Sequence, residues 1–140
     1  MYDAVHALPS PYSEAQRRAW MPEPRQGDEW NARLCRQHIV IADIAGHTAG
    51  FMSLEPQDDA SLGYVDFAYI LPQYRGQGIF AALYGWIEAR ALGAGITRLT
   101  THASLAARPA FEREGFTVTQ EETVTIGAEQ LRRFAMTKKI

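Results

Sequence analysis

Gln73-Tyr74-Arg75-Gly76-Gln77-Gly78 is the part of this 140-residue chain whose residue types and spacing most directly suggest chemistry. It follows an apolar stretch closed by Pro72 and leads into Ile79-Phe80-Ala81-Ala82-Leu83, an apolar run spaced for a helix. A helix N-terminus leaves its first N–H groups without internal partners, and its dipole end favours anions. Gly76 and Gly78 allow positive φ and remove Cβ atoms that would keep a phosphate from the backbone. Arg75 adds a guanidinium beside the same place. The chemistry that fits is binding of a phosphate or pyrophosphate, although a tight strand-to-helix turn also explains two glycines taken alone. No G-x-x-x-x-G-K-S/T occurs, which excludes that phosphate loop. Gly76-Gln77-Gly78-Ile79-Phe80-Ala81 fits G-x-G-x-x-A, but Pro72–Arg75 separate it from its strand and the next strand ends at His102, not at an acid.

Three side chains could handle protons. Asp66 lies inside an otherwise apolar strand, where an acid needs a reason. It can act as a base or pair with a substrate amine, or face solvent, since Val65, Phe67 and Tyr69 alternate against Asp66, Ala68 and Ile70. His102 ends a strand, and an ordinary pKa of ~6.5 suits proton transfer near neutrality. Ser104 can cap the helix that follows and still hydrogen-bond a ligand. Tyr69 and Tyr84 are further donors that core packing also explains, and Glu55 reads as a solvated turn residue. Tyr12, Trp20 and Trp30 could hold an apolar or cationic acceptor, or simply pack.

The elements that must position these residues follow from period and punctuation. Tyr2–Leu8 reads as a short helix broken at Ser10-Pro11, and Ser13-Glu14-Ala15-Gln16 as the capped start of a second ending near Trp20–Met21. Trp30–Arg36 adds another helical turn. Ile39–Ile44 and Ala49–Leu54 form a hairpin about Ala45-Gly46-His47, and Gly63–Leu71 is a third strand ended by Pro72. A helix then runs to about Leu92, stopped by Gly93 and Gly95. Ile96–Thr101 is a strand, Ser104–Glu114 a helix, and Phe116–Ile126 with Leu131–Lys138 a closing hairpin about Gly127. This order predicts an α/β (mixed α+β) sheet with two crossover helices, in one domain over residues 1–140.

Composition sets the bounds. A net charge of −2 with scattered Lys and Arg gives no field for nucleic acid, so no such partner is expected. No apolar run reaches the ~18–20 residues of a membrane span, and no leader signal opens the chain, which predicts a cytoplasmic protein without a membrane partner. The single cysteine, Cys35, excludes an internal disulfide or a cysteine-based metal cluster and reads as a half-buried helical residue.

Gln73–Gly78 matches the Q/R-x-x-G-x-G/A motif of the GCN5-related N-acetyltransferases, and Val65–Pro72 resembles that family's fourth strand. A second block, Ala103-Ser104, Ala107-Arg108-Pro109, Phe111-Glu112 and Gly115-Phe116, resembles its strand-five and helix-four signature. The ending Val124–Lys139 is similar to its last hairpin, so the resemblance covers roughly residues 37–140. It implies a central mixed sheet whose parallel strands four and five, here Val65–Leu71 and Ile96–Ala103, splay apart. It also implies acetyl-CoA as co-substrate and no metal. Backbone N–H groups of Arg75, Gly76, Gln77, Gly78, Ile79 and Phe80 are expected to bind the pyrophosphate. Tyr69, Ile70 and Leu71 are expected to pair with the pantetheine arm, an N–H near Ile70 to polarise the acyl carbonyl, and Ser104 to approach the sulfur.

The implied reaction is acetyl transfer to a primary amine, on a small molecule or a protein, by direct attack in a ternary complex. Asp66, His102 and Ser104 are its candidate catalytic residues. The family's usual acid is a tyrosine seven residues after a polar residue at the end of the fifth strand. Here those positions are Phe111 and Ser104, and Phe111 cannot donate a proton, which leaves a non-catalytic acyl-CoA-binding module as the alternative. The family's opening strand is expected to be missing, since Met1–His6 reads as helix. That would expose Ile39–Ile44 as an edge open to homodimerisation.

Overall fold

Caps and turn residues decide where the elements begin. The computed structural model describes residues 1–140 and opens with three short helices, α1 (Tyr2–His6), α2 (Glu14–Trp20) and α3 (Asp28–Cys35). Ser13 Oγ accepts from Gln16 N–H at 3.1 Å while Gln16 Oε1 accepts from Ser13 N–H at 2.8 Å. This reciprocal capping box at the start of α2 contributes ~1 kcal/mol. Strands β1 (His38–Ile44) and β2 (His47–Pro56) form the expected hairpin. Its turn residues Ala45 and Gly46 both have positive φ, 51° and 81°, the twist a two-residue hairpin favours.

The remaining elements are β3 (Leu62–Ile70), α4 (Ile79–Gly93), β4 (Arg98–Ser104), α5 (Arg108–Arg113), β5 (Thr117–Ile126) and β6 (Glu129–Lys139). They form one six-stranded sheet in the order β1-β2-β3-β4-β6-β5. Only β3 and β4 run parallel. The mixed, helix-flanked sheet is the expected fold class. α4 and α5 cover one face, where Ile79, Leu83, Ile87 and Phe111 pack with Met52, Leu54, Val65 and Leu99. Burying such side chains contributes roughly 1.5–3 kcal/mol each. The N-terminal helices lie on the other face, α3 holding β3 through Trp30 against Phe67 (ring centroids 5.3 Å apart) and Arg33 against Asp66. No strand precedes α1 within residues 1–140. β1 is a sheet edge, with Ile41 61% exposed. No helix is long and apolar enough to cross a membrane.

Four expectations shift. Pro72 ends the third strand but also opens a 3-10 turn, Pro72–Tyr74. β4 starts at Arg98, because the backbone of Ile96 and Thr97 is held by the Ala91 and Ser61 carbonyls, and the ladder with β6 carries it through Ser104. α5 accordingly begins at Arg108, one turn later than the Ser104 expected. Cys35 is exposed. Trp30, Arg33 and Leu34 take the inner stripe of α3 at i, i+3, i+4 spacing, and Cys35 lies outside it.

Candidate functional site

The site begins where two parallel strands part. β3 and β4 pair only from Leu62↔Arg98 to Val65↔Thr101, and Thr101 Oγ1 donates to the Val65 carbonyl at 2.8 Å at the point of separation. Just beyond, Asp66 and Phe67 of β3 together oppose Ser53 of β2, a bulge in which Phe67 N–H donates to Ser53 Oγ at 3.1 Å. The bulge overturns the simple alternation expected for this strand. Val65, Ala68 and Ile70 pack toward the α4 core, while Tyr64, Asp66, Phe67 and Tyr69 line the opposite side.

The same parity frees backbone for a ligand. Phe67 bonds Ser53, Leu71 N–H donates to the Ala49 carbonyl at 2.9 Å, and Tyr69 faces Phe51 of β2. Alternation then turns the N–H and C=O groups of Ala68 and Ile70 toward β4, which has already diverged. Leu71 is corrected as a candidate, since its N–H is occupied and it does not line the cleft.

The glycine loop lies at one end of this opening. Gly76 and Gly78 have φ of 74° and 77°, and Gly78 is the N-cap of α4. The N–H groups of Gly76, Gln77, Gly78, Ile79, Phe80 and Ala81 donate to no acceptor in the chain, leaving six consecutive amides for a ligand. Arg75 N–H is not among them, because it closes the 3-10 turn on the Pro72 carbonyl at 3.2 Å. Its side chain reaches the Ala4 carbonyl at 3.4 Å and lines the cleft. Gln77 offers only its main chain, since its side chain folds back on the Gln73 carbonyl.

Loop and splay form one cleft of about 470 Å³, lined by Tyr69, Ile70, Arg75, Gly76, Gly78, Ile79, Phe80 and Ser104 together with Tyr12 and Trp20. A second hollow, about 290 Å³, opens on the α3 face and contains Asp66 and His102. The two share Tyr12, Trp20, Tyr69 and Ser104. Trp30 lines neither; it packs on Phe67.

The candidate proton carriers differ in freedom. Both Asp66 oxygens are engaged: Arg33 donates to them at 2.7 and 3.0 Å, Gln37 donates at 2.6 Å, and the side chain is only 6% exposed. That is a structural clamp, not a free base. We expect Arg33→Ala to cost about 2–3 kcal/mol in chemical denaturation. The charge left on Asp66 keeps only Gln37, and contact of the guanidinium with the Phe67 ring is lost. The half-exposed state of Arg33 holds the figure below that of a fully buried pair.

His102 has one third of its side chain exposed. Its Nδ1 lies 2.8 Å from Tyr64 Oη and its Nε2 3.7 Å from Glu122 Oε2. Burial and then Arg133 hold its pKa below the ordinary value, with Glu122 opposing. Ser104 Oγ accepts from Ala107 N–H at 3.1 Å, closing the turn before α5 and leaving its own hydroxyl proton available. Tyr12 Oη, the remaining hydroxyl at the junction, donates to the Arg132 carbonyl at 2.7 Å and accepts from Leu105 N–H at 2.9 Å. Burial pushes the Tyr69 hydroxyl up to about 12, so it keeps its proton at neutrality. Tyr84 packs edge-on to Phe116 and lines neither hollow. Glu55 pairs with Arg36 at 3.4 Å. Phe111 is a core residue, 1% exposed, edge-on to Phe80 and Phe116.

Sequence reasoning missed Tyr64, Arg33 and Arg133 as residues of this site. Their contacts to His102 and Asp66 cross strands or layers, and no local pattern signals them.

Residues 9–139 match the family model described as an acetyltransferase (GNAT) domain. A solved GCN5-related N-acetyltransferase from Rhodopseudomonas palustris is 31% identical, with a TM-score of 0.86 over 99% of this chain and 84% of that one. YafP of Escherichia coli K12, described as an uncharacterised N-acetyltransferase, is 29% identical over 130 residues, 91% of this chain and 77% of YafP. A GNAT family acetyltransferase from Elizabethkingia anophelis, solved with acetyl-CoA bound, has a TM-score of 0.66 over 81% of this chain and 84% of that one. At 14% identity it speaks to fold alone.

Proposed function

This chain belongs to the GNAT acetyltransferase family, and on that premise we propose that it transfers an acetyl group from acetyl-CoA to a primary amine by direct attack in a ternary complex. The observation that carries the reading is the meeting of two hollows at the splay: a cleft that begins at six unpartnered amides, and a side hollow that holds His102.

The cleft fits the co-substrate. Its positive-φ glycines and free N–H groups suit a pyrophosphate, and the outward-turned backbone of Ala68 and Ile70 suits an extended arm laid along β3 as an added strand. Bound acetyl-CoA supplies an activated acyl carbonyl and a thiolate leaving group. The chain's residues orient and move protons around it. Ile70 N–H is the donor that polarises the carbonyl oxygen. His102, kept neutral by its lowered pKa, accepts the amine proton at Nε2 while Nδ1–H is donated to Tyr64. Glu122 then stabilises the imidazolium. As the intermediate collapses, the second proton on the attacking nitrogen passes through the Ser104 hydroxyl, or a water it holds, to the sulfur; the Ser104 hydrogen is not spent on the Ala107 turn.

Core placement of Phe111, where relatives carry an acid, favours one other reading: a module that binds acyl-CoA without turnover. Both readings require cofactor binding. We expect coenzyme A at a hundredfold excess over its Kd to raise the melting temperature by about 10 °C. An unchanged melting curve at millimolar coenzyme A would contradict both.

A further inference from the structure

We infer that the acceptor is an amine that also carries an oxyanion, a carboxylate or a phosphate-type group, bound in the side hollow by its arginines. The inference rests on the acceptor entering from the His102 side, as the acetyl-transfer reading has it.

Four arginines, Arg25, Arg33, Arg132 and Arg133, line the hollow. Asp66, Glu121 and Glu122 each pair with one of them, which leaves Arg25 as the arginine there without a carboxylate partner. Asp66 is consumed by Arg33 and Gln37 and has nothing left for a cationic substrate. Arg132 and Arg133 pair with Glu121 and Glu122 through Nε, at 2.7 and 2.8 Å, which leaves their terminal nitrogens outside those bonds. Arg25 has no ion pair; its guanidinium lies 5.8 Å from the Trp30 ring centroid at the exposed rim.

Planar guanidinium forks match oxyanions bidentately, and the unpaired Arg25 with the open terminal nitrogens of Arg132 and Arg133 offers such forks. A polyamine or a lysine-like acceptor would leave those donors without a partner and would find Asp66 already occupied. The unpaired charge of Arg25 also disfavours an ammonium near it, so an amine anchored through its oxyanion is more readily deprotonated and able to attack. Trp20, Phe67 and Tyr69 are among the apolar residues of the hollow and suit an apolar body between the two groups.

Calorimetric titration at low salt, with and without coenzyme A, tests this on matched probes: phenylalanine, phenylalaninamide, the aminophosphonate analogue of phenylalanine, and spermidine. At least one of the two oxyanion probes is expected to bind about tenfold or more tightly than the amide. The comparison between those two distinguishes carboxylate from phosphate-type recognition. Arg25→Gln, at an exposed position with no ion pair, is expected to shrink the preference several-fold, as is raised ionic strength. Equal binding of the amide, tighter binding of spermidine, or a preference untouched by both Arg25→Gln and salt would overturn the inference. Failure of acetyl transfer itself is read separately, from the coenzyme A melting shift and from product formation. Acceptor binding by the coenzyme-free chain depends on neither.

Discussion

Gly78→Val is expected to raise the Kd for acetyl-CoA by about a hundredfold or more, near 2.7 kcal/mol, while the chain stays folded. Gly78 has φ of 77° and caps α4. A β-branched residue there is strained by roughly 1–3 kcal/mol. The space beside Gly78 is open, with no neighbouring atom within 4 Å of where a Cβ would stand, so valine meets no clash in the free protein. What it disturbs is the surface offered to a ligand. The valine side chain stands where a phosphate must approach Gly76–Ala81, and relief of the strain turns those amides away. Calorimetry with acetyl-CoA, beside a circular dichroism spectrum, checks both halves. Wild-type affinity in Gly78→Val would mean that the loop is only a strand-to-helix turn.

The second large effect belongs to His102. His102→Gln is expected to lower kcat by about 10²–10⁴ and to leave coenzyme A stabilisation intact. Its pH behaviour is the more diagnostic readout. A base works only unprotonated, and burial with Arg133 holds the His102 pKa below 6.5. With respect to this group, wild-type kcat/KM should therefore stay level through neutrality and fall only as the pH drops through that lowered pKa. In His102→Gln this acid limb should vanish. A variant within threefold of wild-type kcat, or with the same acid limb, would transfer the role to another group. Tyr64→Phe probes the support behind it, because loss of the Oη contact at 2.8 Å frees the imidazole to rotate.

The parts of this molecule that were legible in the sequence are those set by local chemistry. Ser13 and Gln16 announce the start of α2 three residues apart, Gly46 the first hairpin, and Pro72, Gly76 and Gly78 the end of β3 and the anion loop. Each depends on backbone angles or caps that one residue type satisfies best. Three features of the site depend on partners far along the chain and left no local trace. The Asp66–Phe67 bulge is held by Ser53 across a strand. Asp66, read as a base, a partner for a substrate amine or a solvent-facing acid, is clamped by Arg33 of α3 and by Gln37 just past its end. His102, read as a lone histidine, meets Tyr64 only because β3 and β4 run parallel before they splay. An isolated polar residue in a strand requires a partner but does not specify which residue supplies it.

Arg75 shows the same boundary at smaller scale. Motif spacing places it beside the anion, yet its N–H is claimed by the Pro72 carbonyl, so the free run of amides starts one residue later. Local punctuation located the loop, and the turn before it fixed which atoms are available.

Acetyl transfer is tested by incubation with acetyl-CoA and a panel of amines that includes phenylalanine and its amide, with thiol release and N-acetylated product followed together by mass spectrometry. One equivalent of free thiol is expected for each equivalent of acetylated amine, with loss of both in Gly78→Val. A chain that coenzyme A stabilises but that acetylates no amine would contradict acetyl transfer and favour a binding module.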